Sequence, residues 1–86
     1  PYTTLFRSAH EALAKEEFVS SRGGAVTLKM LGDRTVVSIE FEEGVLEEDN
    51  KEMIEEMLIG CLNEILEKIA NAEAEIEEKY ASGVGF

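Results

Sequence analysis

Residues 39–69 read IEFEEGVLEEDNKEMIEEMLIGCLNEILEKI, and within this stretch the hydrophobic period changes from two to between three and four. Ile39 and Phe41 alternate with Glu40, as in a strand with one apolar face. After the acidic link Glu42-Glu43-Gly44, Asp49 is placed to cap a helix, with Glu52 three positions later as its capping-box partner. From there Ile54, Leu58, Cys61, Ile65, Ile69, Ala72, Ile76 and Tyr80 recur at spacings of three and four, one apolar stripe some seven turns long. Met53, Met57, Ile59, Leu62 and Leu66 broaden the apolar surface of its first half, which reads as core. The second half keeps only the narrow stripe and reads as an arm. A continuous helix from Asn50 to Tyr80 would run about 46 Å, longer than a sheet of short strands can cover, so part of it must project or meet a partner.

Working backwards, Val37, Ile39 and Phe41 alternate with Val36, Ser38 and Glu40, and Val26, Leu28 and Met30 alternate with Thr27, Lys29 and Leu31. Gly32-Asp33-Arg34 between them has turn chemistry, which predicts a β-hairpin with one apolar face. Gly23-Gly24 supplies another turn, preceded by Phe18–Arg22 as a short strand or extended link and by the helix-forming run AHEALAKEE, residues 9–17. Beyond Tyr80, Ala81-Ser82-Gly83 suits a helix stop and Val84-Gly85-Phe86 reads as a loose tail. Glu64 to Lys68 and Glu75 to Lys79 are favourable i,i+4 pairs on the outer face of the long helix. The class is α+β, a single small domain. Val26, Leu28, Met30, Val37, Ile39, Phe41, Ile54, Leu58, Cys61 and Ile65 are the residues expected in the core or in a dimer contact.

Residues 1–8, PYTTLFRS, resemble the in-frame translation of a sequencing-adaptor oligonucleotide and carry no initiator methionine. They are set apart as a non-native segment, leaving 9–86 as the domain and its first helix as the stump of a longer one.

The chain has 86 residues and a formal charge of −11. A domain of this size buries only about 60% of its unfolded surface, so a second copy would help it. The acidic balance argues against a generally basic nucleic-acid or membrane-binding surface. One cysteine, Cys61, excludes an intramolecular disulfide and reads as a small buried hydrophobe in a reducing compartment. No membrane span or secretory signal is visible. His10, the single histidine, has no companion ligand in sequence. Glu47-Glu48-Asp49 lacks the ligand spacing of an EF-hand and suits a helix start. Glu52, Glu55 and Glu56 fall on a solvated face with nothing to tune them for acid–base work, and Gly23-Gly24 lacks the lysine and hydroxyl residue of a phosphate loop. No catalytic, metal or cofactor site is expected.

The order of an end-of-helix segment, Gly23-Gly24-Ala25-Val26, a glycine-containing turn, Ser38-Ile39-Glu40-Phe41, an acidic link and the helix from Asp49 through Asn63 resembles the YbaB/EbfC family of bacterial nucleoid-associated proteins, over roughly residues 17–79. The resemblance implies an α-β-β-β-α protomer, a sheet-mediated homodimer with projecting helical arms, and binding of duplex DNA in the cytoplasmic nucleoid. Residues 9–42 hold 4 basic and 6 acidic residues, whereas residues 43–86 hold 3 basic and 13 acidic. A DNA surface is therefore expected toward the N-terminal half, with Lys15, Arg22, Lys29 and Arg34 as its phosphate contacts. The acidic helix supports the alternative of a module that recruits a basic protein partner without DNA affinity.

Overall fold

The computed structural model describes residues 2–83, with side chains from 4 to 80. Its elements are α1 (Tyr2–Lys15), β1 (Glu17–Arg22), β2 (Val26–Leu31), β3 (Val36–Phe41), a 3-10 turn (Glu48–Asn50) and α2 (Lys51–Gly83). This is the α-β-β-β-α order of the expected α+β class. Residues 2–8 continue into residues 9–15 as one helix, and the tail at Val84-Gly85-Phe86 lies outside the described residues.

The strands form one antiparallel sheet with β2 in the middle. Gly23 and Gly24 both take positive φ, 57° and 72°, and Ala25 N–H donates to the Arg22 carbonyl at 3.0 Å, which closes the β1–β2 turn. The β2–β3 turn closes through Arg34 N–H to Leu31 O and Leu31 N–H to Thr35 O, both at 2.8 Å. Arg34 occupies its left-handed position, φ 73°. Pairing then runs Met30 with Val36 but Lys29 with Ser38, leaving Val37 as the extra residue of a bulge. The strict alternation expected of Val37, Ile39 and Phe41 therefore breaks at Val37, and Val36 is the residue opposite Met30.

Val26, Leu28 and Met30 point to the sheet face on which α2 lies, where Cys61, Ile65 and Ile69 meet them. Leu28, Ile65, Ile69, Val26 and Cys61 are fully buried, and each apolar side chain of this kind stabilises by about 1.5–3 kcal/mol relative to exposure. Ile54 and Leu58 pack half-buried against them. The helix packs on β1 and β2, so Val37, Ile39 and Phe41 fall outside the core of the chain at 48, 43 and 37% exposure. Met53, Ile59 and Leu66 are likewise exposed, so the first half of α2 is core on one side only.

Asp49 lies inside the 3-10 turn and does not cap α2; the entry is held by Asn50, whose side-chain amide donates to Val45 O at 3.0 Å. The second half of α2 is met by α1, which runs antiparallel to it: Phe6 stacks edge-on against Tyr80 and against His10, and Ala9, Ala12 and Leu13 face Ala72 and Ile76. The overhang is thus a two-helix arm, and the molecule measures 59 × 17 × 14 Å. The Glu64–Lys68 pair forms at 3.5 Å. The expected Glu75–Lys79 pair does not, and Lys79 instead sits 5.6 Å from the Tyr80 ring centre.

Two contacts fix how these layers meet. Gly32 N–H donates to Glu16 O at 2.9 Å and Asp33 N–H to Ala14 O at 3.3 Å, tying the β2–β3 turn to the end of α1. A Cβ at position 32 would overlap the Leu13 backbone carbonyl. On β1, the buried Ser20 hydroxyl donates to Glu64 Oε2 at 2.6 Å, while Arg22 lies 3.3 Å from the same carboxylate and donates to Gly60 O at 3.4 Å. The Ser20 hydrogen bond holds the Glu64 carboxyl below its ordinary value, against the opposing effect of burial, and the charges of Lys68 and Arg22 add to the lowering.

Gly32→Ala is expected to cost at least about 2 kcal/mol, a fall of roughly 10 °C in Tm by thermal unfolding, because backbone rather than a side chain must yield. Because Glu64 holds its proton less tightly folded than unfolded, it stabilises the fold above its ordinary value of 4.5 and loses that contribution as pH falls through the lower folded value. Glu64→Gln should accordingly lower Tm near pH 7, and the gap from the native chain should close on acidification below 4.5.

Candidate nucleic-acid interface

The four basic residues singled out from the sequence do not form one patch. Lys15 is exposed in the last turn of α1, where its charge complements the helix dipole, and it makes no ion pair among the described residues. The bonds from Gly32 and Asp33 bring the β2–β3 turn, and with it Arg34, to the same end of the sheet. Lys29 alternates with the buried Leu28 and Met30 and so lies on the sheet face away from α2, 3.7 Å from Glu17. Arg22 ends β1 at the opposite end of the sheet, about 17 Å away along a six-residue strand.

Three of the four are therefore paired with carboxylates. The pairing at Arg34 is the most directed: Nη1 donates to Glu73 Oε2 at 3.0 Å and Nη2 to Oε1 at 2.8 Å, a two-pronged contact from the turn to α2. It lowers the Glu73 carboxyl below its ordinary value, by hydrogen bonding first and by charge second, with a smaller contribution from His10; it also raises Arg34 further. Asp33 is lowered by hydrogen bonds from Thr35, whose N–H meets Asp33 Oδ1 at 2.9 Å. This Asx turn holds the loop that presents Arg34.

A second feature runs along the flank of α2. Cross-strand pairing of Ile39 with Leu28 and Phe41 with Val26 puts Ile39 and Phe41 on the face carrying the core, beyond the edge of the helix. On α2, Ile59, Leu62 and Leu66 follow the i, i+3, i+7 spacing that continues to Glu73. Since Glu73 is held by the β2–β3 turn, that flank looks toward β3. Exposed Ile39, Phe41, Ile59 and Leu66, with half-buried Leu62, thus form one apolar strip along the chain.

Sequence reasoning found the cations but missed their partners. Glu73 and Arg34 are 39 positions apart, and Ser20 and Glu64 are 44 apart, with no local spacing to announce either. Glu52, Glu55 and Glu56 are all exposed. Among the described residues no group of three or more His, Cys, Asp or Glu is arranged to hold a metal ion, and no helix is long and apolar enough to cross a membrane.

Comparison with known proteins adds to this geometry. The chain is 37% identical over 71 residues to a nucleoid-associated protein of Mycoplasmopsis pulmonis, covering 83% of this chain and 70% of that one. It is 38% identical over 72 residues to one of Clostridium novyi, covering 83% of this chain and 62% of the relative, and 32% identical over 71 residues to one of Lachnoclostridium phytofermentans, of which it covers 60%. The chain therefore spans less than two thirds of the length of the latter two. The fold matches the crystal structure of an uncharacterized protein from Helicobacter pylori with a TM-score of 0.59 at 20% identity, over 96% of this chain and 81% of that one. The sequence profile of the YbaB/EbfC DNA-binding family matches residues 4–84, and with α-β-β-β-α order, an antiparallel sheet and a long final helix in place, the chain belongs to that family.

Proposed function

We propose that this protein binds duplex DNA in the bacterial nucleoid, in the cytoplasm, as a homodimer that grips the phosphate backbone with little sequence preference. The observation that carries this reading is membership of a DNA-binding family over nearly the whole chain, supported by relatives named as nucleoid-associated proteins. The geometry favours phosphate contacts over base reading. Its exposed cations sit on a sheet end, a sheet face and a helix end, scattered positions that suit backbone contacts. Lys15 and Arg34, joined at one end, are the first candidates, with Lys29 and Arg22 more distant, and a second copy doubles each. The protein has no part in this reading as an enzyme.

The apolar strip of Ile39, Phe41, Ile59, Leu62 and Leu66 supports dimerisation. Burying it against its own counterpart would remove several large side chains from water and cover the open edge of β3. Such a dimer also sets two helical arms on one body.

The acidic α2 keeps a protein-recruiting alternative in view, and salt separates the two. Fluorescence anisotropy of a labelled duplex should show binding at about 50 mM salt that weakens strongly by about 200 mM, with a log–log slope near −0.9 per phosphate neutralised. Lys29→Glu with Arg34→Glu should weaken binding about tenfold or more and flatten the slope by roughly one per lost contact. Absence of duplex binding at low salt would favour the basic-protein partner. In light scattering the native chain should run at twice its 9.5 kDa mass. Ile39→Glu with Leu66→Glu should return it to a monomer with an unchanged circular dichroism spectrum.

A further inference from the structure

Arg34 holds a backbone position that costs an L side chain strain and that glycine takes freely. The turn closes through main-chain bonds from Arg34 N–H to Leu31 O and from Leu31 N–H to Thr35 O, with Asp33 Oδ1 accepting from Thr35 N–H, so the turn itself makes no use of the guanidinium. What the side chain does instead is reach Glu73 with both terminal nitrogens. The pair is open to solvent, at 44 and 34% side-chain exposure, and lies at the sheet end where Lys15 carries no carboxylate partner among the described residues. A planar guanidinium donates to two oxygens of a carboxylate or two of a phosphate with the same fork, and an exposed ion pair is a weak hold on it.

We propose that Glu73 is a built-in competitor for the phosphate site of Arg34, so that duplex binding exchanges the Glu73 carboxylate for a backbone phosphate. This rests on the DNA-binding reading above. The exchange has a mechanical side, because Glu73 belongs to the arm and Arg34 to the sheet: the ion pair that a phosphate replaces is also a clasp between the two. The acidic helix thereby does more than add net charge. It sets how much of the basic surface is free, and it would favour polyanions with closely spaced phosphates over isolated anions, which gain no second contact at Lys15.

The test compares the native chain with Glu73→Gln, Arg34→Gly, the double variant and Glu78→Gln, an exposed carboxylate of the same helix, by duplex anisotropy across about 50–200 mM salt. Arg34→Gly suits the left-handed position, so the turn is kept, and circular dichroism and Tm check each variant. Glu73→Gln should bind about two- to fivefold tighter, the range an exposed ion pair commands, and Glu78→Gln should bind as the native chain does. Arg34→Gly should bind more weakly with a slope flatter by about 0.9 per lost contact, and Glu73→Gln should have no effect in that background. Binding by the native chain that Glu73→Gln leaves unchanged, or tightens equally with and without Arg34, overturns the competition alone. Failure of both the native chain and Glu73→Gln to bind overturns the DNA reading with it. Binding by Glu73→Gln alone, lost on adding Arg34→Gly, supports the competition in its strongest form.

Discussion

One helix cannot cover three strands. Neighbouring strands lie about 4.8 Å apart while a helix with its side chains is about 10–12 Å across, so α2 seals β1 and β2 and leaves β3 bare. The same helix is too long for the strands beneath it, and its excess length needs another partner. Both consequences are visible: α1 lies along the overhang to make the arm, and Ile39 and Phe41 stand uncovered next to the flank of Ile59, Leu62 and Leu66. The uncovered side of the chain and its projecting arm have one geometrical cause.

The electrostatics follow a related division. Most negative charge lies on α2 and the link before it, yet individual carboxylates of that helix reach back to the sheet. Glu64 meets Ser20 and Arg22 at one end, and Glu73 meets Arg34 at the other. These contacts set the helix across the sheet at two points along its length, in addition to the apolar contact between them. They also spend cations that a polyanion would otherwise find free, which distinguishes the net charge of the chain from the charge a ligand meets locally.

The elements were readable because each announces itself by period. Val26, Leu28 and Met30 gave a strand buried on one face, and the stripe from Ile54 to Tyr80 faces inward along its whole run, against the sheet as far as Ile69 and against α1 beyond it. What period cannot report is the extent of cover. Ile39 and Phe41 alternate as well as Val26 and Leu28 do, and only the width of the helix decides that they stay exposed. The bulge at Val37 escaped for a different reason: Val36 and Val37 are equally apolar, so the hydrophobic pattern does not mark which of them is the extra residue between the Met30 and Lys29 pairs. Asp49 carried the chemistry of a cap, but the 3-10 turn around it moved the helix start past it. The candidate cations were legible singly; their grouping was not, because it depends on Gly32 bringing the turn to the end of α1.

The change of partner along α2 has a kinetic meaning. Up to Ile69 the helix is held by fully buried Cys61, Ile65 and Ile69 against β2, whereas beyond it the contact with α1 runs through buried Leu13, small alanines and half-buried Phe6, Ile76 and Tyr80. Fewer apolar atoms are withdrawn from water there, so amide protons of the arm should exchange through local opening events that leave the sheet closed. A single unbroken helix then spans two cooperative units, with Ile69 as the point where a slow-opening scaffold gives way to a fast-breathing limb.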